Sequence, residues 1–119
     1  MSSRRQKQVN QAIRRELSEL LIRHVNDPRI GGIISITRVD VSPDLVQAKI
    51  FVSVMGIDTD ETEIFEGLAS ASDFLRHELG SRLRLRYIPR LIFEKDDSIE
   101  KAEQLFQLID QSIKNSPGT

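Results

Sequence analysis

The sequence predicts an α+β fold, a three-stranded sheet with helices packed on one of its faces. Three observations lead there. Apolar residues recur at three- and four-residue steps in the first, middle and last parts of the chain. Two runs with period-two alternation flank a Ser-Pro-Asp turn. A third apolar run follows the middle helix and stops at an acidic cap. The order is helix, strand, strand, helix, strand, helix, with no repeat, linker or low-complexity tract. The 119 residues are therefore expected to form one domain, 1–119, with an ordered core over about 5–113.

From about Arg5 to Val25, the residues Val9, Ile13, Leu17, Leu20, Leu21 and Val25 make one apolar stripe, while Lys7, Arg14, Arg15 and Arg23 face outward. Asp27-Pro28 ends this helix, because the residue before proline is driven out of the α region, and Gly31-Gly32 marks a turn. Ile33 to Ser42 reads as a strand with a fault. Ile34 and Ile36 share one face and Val39 and Val41 the other, a slip near Thr37-Arg38 that a bulge or two covered faces would explain. After the turn at Ser42-Pro43-Asp44, Val46, Ala48, Ile50, Val52 and Val54 alternate with Gln47, Lys49, Phe51 and Ser53, completing an antiparallel hairpin.

Asp60 is placed as an N-cap, with Glu63 completing a capping box. The helix that follows uses Ile64, Phe65, Leu68, Ala71, Leu75 and Leu79. Its middle is its weak point, since Gly67, Ser70, Ser72 and Asp73 are poor helix-interior residues. Gly80 is expected at its C-terminal cap or at a flexible joint before a further turn. Tyr87 to Lys95 reads as the third strand, with Pro89 near its start, where a missing N–H matters least. Asp96-Asp97-Ser98 caps a last helix built on Ile99, Ala102, Leu105, Phe106, Leu108, Ile109 and Ile113, and residues 115–119 read as a short frayed tail.

Composition excludes several function classes. With no cysteine, disulfides, thiolate metal sites and cysteine nucleophiles are out. The 39% hydrophobic and 29% charged content is that of a soluble globular protein, and the lack of cysteine is compatible with a reducing cytoplasm. No apolar run is long enough for a membrane span, and the N-terminal residues do not read as a secretory signal. His24 and His77 lie near helix ends without ligand spacing, and Asp96, Asp97 and Glu100 are explained by capping, so neither a metal nor a catalytic site is expected. Ser70 and Ser72 have no visible base partner, and no glycine-rich phosphate loop occurs.

Charge is the informative property. Residues 1–29 hold seven Lys/Arg against three acids, and 76–95 hold six against two, whereas 30–75 hold two against eight and 96–119 two against five. A near-neutral total thus hides two basic blocks, which suggests one basic and one acidic face. In the stretch RHELGSRLRLRYIPRLIFEK, cations interleave with apolar residues, so burying one row aims the guanidinium groups outward. That is the surface that phosphates require. Aromatic residues are few, five Phe and one Tyr, and most of the Phe fall at core-facing positions, so base stacking is not expected. Contact with the phosphates and shape of folded RNA fits better.

Three stretches in this order, QKQVNQAIRRELSELLIRHVNDPRIGG, VDVSPDLVQAKIFVSV and SASDFLRHELGSRLRLRYIPRLIFEKDDSIE, resemble the ribosome-binding factor A family over roughly Arg5 to Asp110. The resemblance implies a type II KH-like fold, α-β-β-α-kink-α-β-α, and a non-catalytic, cofactor-free protein of the cytoplasm, or of an organelle stroma. It implies binding to the immature 30S small subunit and its 16S rRNA, with help in late rRNA maturation at the 5′ end, most needed in the cold. Ribosomal proteins or an assembly GTPase are further expected partners, which an adaptor using the acidic face would bind instead of RNA, and the protein is expected to be a monomer. The family interrupts its second helix at an Ala-x-Gly signature. Here the matching positions are Ala71, Ser72 and Asp73, with Asp73 where glycine is expected. The residues expected to meet RNA are Arg5, Lys7, Arg14, Arg15, Arg29, Arg76, Arg82, Arg84, Arg86 and Arg90.

Overall fold

The computed structural model describes residues 3–23, 25, 28–30, 33–55 and 60–114. The expectations placed on His24, Asp27, Gly31-Gly32 and the tail 115–119 lie outside these residues. The elements are α1 (Arg4–Arg23), a short 3-10 turn (Pro28–Ile30), β1 (Ile33–Val41), β2 (Gln47–Met55), α2 (Glu61–Arg82), β3 (Arg90–Lys95) and α3 (Ser98–Lys114). The sheet order is β1-β2-β3, with β1 antiparallel to β2 and β2 parallel to β3, the parallel pair being joined through α2.

α1 starts at Arg4, within one residue of the sequence reading. The Ser3 hydroxyl accepts from the Gln6 N–H, and the Gln6 side chain accepts from the Ser3 N–H, a full capping box. Gln6 is also the one polar side chain among the described residues that is buried, and its Nε2 donates to the Val41 carbonyl at 3.1 Å. Asn10 accepts from the N–H of the same Val41 at 2.8 Å. Two amides of α1 thus occupy both backbone groups of Val41 on the outer strand, which would otherwise offer them to another chain.

The fault in β1 is a bulge. Ile36 pairs with Val52 and Arg38 with Phe51, leaving Thr37 as the extra residue. The slip returns Val39 and Val41 to the face used by Ile36, and all three are buried. The core is aliphatic: Ile13, Leu17 and Leu20 of α1, Ala48, Ile50 and Val52 of β2, and Ile64, Leu68, Leu75 and Leu79 of α2 are essentially inaccessible. Of the five Phe, Phe65 and Phe93 pack against this core while partly exposed, fewer than the sequence reading expected, and Phe74 is 43 % and Phe106 70 % exposed.

Three boundaries also differ from expectation. Val46 precedes β2 and is exposed, because Leu45 takes a positive φ of 60° in the turn and breaks the alternation there. β3 begins at Arg90, so Tyr87 lies in a loop with 73 % of its surface exposed. α2 is unbroken from Glu61 to Arg82, with Asp60 accepting from the N–H groups of Thr62 and Glu63 and Leu83 as its C-cap. Ala71, Ser72 and Asp73 therefore sit inside a continuous helix, and Gly80 is within it too. Aspartate at 73 costs a helix well under 1 kcal/mol relative to alanine, whereas glycine costs about 1. Burial of Leu68 and Leu75 on either side is ample to hold the helical path.

Gly67 has a packing role. A Cβ there would stand 2.8 Å from Cγ1 of Ile30 and 3.2 Å from Cβ of Arg29, so its absence lets the 28–30 turn lie directly on α2. α1 and α2 cover the sheet. α3 does not join them: every described side chain from 100 to 111 is exposed, and the molecule extends to 64 Å in its longest dimension.

Candidate nucleic-acid interface

The loop between α2 and β3 sets the geometry of the second basic block. Leu83, Leu85 and Ile88 are half-buried against the core and Pro89 is fully buried, while Arg84, Arg86, Tyr87 and Arg90 are exposed. An irregular segment thus achieves what the sequence suggested, an inward apolar row that turns the intervening cations outward. Arg76 braces it from α2, its Nη2 donating to the Ile88 carbonyl at 3.1 Å. The Arg76 Nε is buried without a hydrogen-bond partner.

Between this loop, β3, α2, the start of α1 and the hairpin turn runs a groove of about 860 Å³. Its lining is largely apolar, with Val9, Phe65, Leu85, Ile88, Leu91 and Phe93 among its residues. Four arginines also line it, Arg5 from α1 together with Arg76, Arg86 and Arg90, against the carboxylates of Asp44 and Asp73. The Ser42 hydroxyl and the Val46 N–H hold the Asp44 carboxyl below its ordinary range, so it is charged. The groove is therefore apolar within and cationic by a small margin.

The ten expected contact residues fall into distinct sets. Arg5, Arg76, Arg86 and Arg90 meet at the groove. Arg84 and Lys7 are exposed. Arg82 is engaged differently from the expectation: its guanidinium reaches Glu16 at 3.3 Å and Glu19 at 3.6 Å with its side chain only 25 % exposed, so it clips the end of α2 to α1. Arg15 pairs with Glu16 at 3.5 Å while remaining exposed, and the Arg14 Nε donates to the Ile36 carbonyl at 3.4 Å. Arg14 and Arg15 follow Arg5 by nine and ten residues, about 14 Å along the helix, and do not line the groove. Arg29 is exposed on the 28–30 turn, where its Cβ packs near Gly67.

Two groove residues escaped the sequence reading. Tyr87 lines it with the Arg86 guanidinium 5.5 Å from its ring centroid, an exposed cation–aromatic pair. The signal was present in Tyr87-Ile88-Pro89, where a proline two residues on argues for a loop as much as for a strand start. Asp44 was read only as a turn former.

At the far end of α2 the chemistry is acidic. Lys95 pairs with Glu61 at 3.1 Å and with Glu100 at 3.5 Å, and the hydrogen bond to Glu61 is the main cause that raises its pKa. The Asp96 carboxylate accepts from the Thr37 hydroxyl at 2.5 Å and from the Ser98 N–H at 2.9 Å. The Thr37 bond first, then those of Ser98, hold its pKa down to about 2. Among the described residues no group of three or more His, Asp or Glu could hold a metal ion, and no helix is long and apolar enough to cross a membrane. His77 is exposed on α2.

The family model for ribosome-binding factor A matches residues 5–109. A ribosome-binding factor A of Dictyoglomus thermophilum is 45% identical over 103 residues, covering 87% of this chain and 86% of that one. The fold is similar to the crystal structure of ribosome-binding factor A from Thermus thermophilus, with a TM-score of 0.68 at 24% identity over 76% of this chain and 93% of that one. It is also similar to a homology model of Thermus thermophilus ribosome-binding factor A as fitted into the cryo-EM map of a 30S complex, with a TM-score of 0.62 at 24% identity over 82% and 97% of the two chains. A family model spanning nearly all of α1 to α3, and a relative at this identity over most of both lengths, place the chain: it belongs to the ribosome-binding factor A family.

Proposed function

We propose that this protein binds the immature small ribosomal subunit through its rRNA, as a non-catalytic assembly factor. The observation that carries the reading is the groove, where Arg5 of the first basic block joins Arg76, Arg86 and Arg90 of the second. Exposed cations fixed by an apolar row bind phosphates without a reaction step, and the affinity comes largely from released counterions. Shape supplies the specificity, since the deep groove of an RNA helix hides its bases from side chains. Family membership and the 30S complex of the Thermus thermophilus homologue support the choice of the small subunit. Late 16S rRNA maturation at the 5′ end, a cytoplasmic site of action and a greater need in the cold belong to this reading, because misfolded RNA helices escape slowly at low temperature.

The test replaces Arg84, Arg86 and Arg90 together by Gln and measures co-sedimentation with small subunits over a salt series. Each phosphate contact contributes about 0.9 to the slope of log affinity against log salt. With three contacts removed, the triple variant should lose about 2.7 units of slope while keeping the wild-type unfolding transition. An unchanged slope and affinity would remove the groove from the binding surface.

A further inference from the structure

α2 spans 22 residues, about 33 Å, and its two ends differ in chemistry. Arg76, Arg82 and the loop carrying Arg84 and Arg86 mark its C-terminal end. Asp60, Glu61, Glu63 and Glu66 mark the other, and there Lys95 joins α2 to α3 by pairing with both Glu61 and Glu100. Asp96 fixes the same root, its side chain bonded to Thr37 and Ser98 and its N–H donating to the Val52 carbonyl at 2.8 Å.

From this root α3 leaves the body. Leu105, Phe106, Leu108 and Ile109 are 58 %, 70 %, 63 % and 47 % exposed. An isolated helix of 17 residues is marginal in water, and its apolar row gains nothing until something covers it. Around the root, eight acids (Asp60, Glu61, Glu63, Glu66, Asp96, Asp97, Glu100 and Glu103) stand against Arg38, whose charge acts on Asp96, and against Lys95 and Lys101. Phosphates are repelled by such a surface. It suits a cationic partner with an apolar groove.

We propose that α3 and its acidic root dock a basic protein of the small subunit, the helix laying its apolar row into a groove flanked by Lys and Arg. This rests on the small-subunit reading above and deepens it: RNA is held at one end of α2 and protein at the other, so one chain bridges the two components of the particle. Two other occupants are chemically conceivable, the arginine-lined groove of a second copy and that of the same chain. Both would cover Arg86 and Arg90 and so compete with RNA, and folding back would also break the anchors at Lys95 and Asp96.

The experiment compares the variant Leu105→Ser/Phe106→Ser/Ile109→Ser, and separately Glu63→Lys/Glu66→Lys, with the wild type. Each is titrated against intact small subunits and against the same rRNA freed of protein. Docking on protein lowers the affinity of both variants for intact subunits at least about tenfold and leaves binding to bare rRNA within about twofold. Equal binding of wild type and variants to intact subunits overturns the proposal, as does an equal loss on bare rRNA. A wild-type dimer in sedimentation equilibrium that the serine variant abolishes assigns α3 to a second copy and overturns it too. The chain lacks cysteine, so an intramolecular disulfide formed readily by Tyr87→Cys/Leu105→Cys would assign α3 to its own groove and overturn the proposal as well. If the wild type binds neither target, the small-subunit reading fails and takes this one with it. If the wild type binds both and the variants match it, only this one fails.

Discussion

Two glycines of α2 should respond in opposite directions to the same substitution. At Gly67 a methyl group would lie 2.8 Å from Cγ1 and 3.3 Å from Cδ1 of Ile30, and 3.2 Å from Cβ of Arg29. Ordinary carbon contacts lie at about 3.5–4.0 Å, so Ile30 must retreat by roughly 0.7 Å or more. It cannot do so cheaply: a β-branched side chain has few rotamers, and Cβ of Arg29 is tied to the backbone. Overpacking of this kind costs about 1–3 kcal/mol, against about 1 kcal/mol gained by replacing glycine with alanine in a helix interior. The net expectation for Gly67→Ala is a loss of about 1 kcal/mol. At Gly80 the nearest atom is Cγ1 of Ile88 at 3.4 Å, an ordinary contact, and Gly80→Ala should gain most of the propensity difference. Urea denaturation followed by circular dichroism should separate the two variants by about 2 kcal/mol, or about 1 M in midpoint for a typical slope of about 2 kcal/mol/M. If both substitutions stabilise, the 28–30 turn does not press on α2 as described and the packing argument fails.

Two further predictions concern charge. Arg82→Gln should destabilise the fold by about 0.5–1 kcal/mol, since a partly exposed clip between α1 and α2 is lost, while leaving the salt slope of subunit binding unchanged. A drop of about one unit in that slope would return Arg82 to the RNA surface. Asp96→Asn should destabilise at neutral pH, because the folded state holds the Asp96 carboxyl near 2, below its unfolded value of about 3.8. A depressed carboxylate contributes stability above the unfolded pKa and loses it as pH falls through the folded one. Unfolding midpoints of wild type and variant should therefore differ by a constant amount above about pH 4 and converge toward pH 2, and a difference independent of pH would refute the role of the Thr37 and Ser98 bonds.

Much of the fold was legible because the signals were local. The stripe of Val9, Ile13, Leu17 and Leu20, the alternation of Ala48, Ile50 and Val52, and the Asp60 cap each specify an element within a few residues. Even the bulge at Thr37 showed as a slip in phase. What stayed hidden depended on partners distant in sequence. Gly67 looked like a weakness because nothing nearby reveals that Ile30 will lie on it. The Ser3-x-x-Gln6 spacing carried a local capping signal that the sequence reading passed over, whereas the second bond of Gln6, to Val41 thirty-five residues away, had no local sign. The apolar row of α3 promised a buried face, and the structure provides no cover for it.

The ten expected cations show the same division, and it decides how the site should be probed. Sequence can count arginines but cannot tell which are already answered by carboxylates. Glu16 is a helical neighbour of α1's own Arg15, yet its better partner is Arg82, sixty-six residues on. Once Arg82 is committed to Glu16 and Glu19, the charge presented at the groove rests with Arg5, Arg76, Arg86 and Arg90, and Arg84 stands exposed on the same loop. A surface of four such groups with two carboxylates beside it binds RNA loosely and with a shallow salt dependence. That argues for a second, less salt-sensitive contact elsewhere on the molecule, and the exposed apolar row of α3 is the place whose chemistry would provide it.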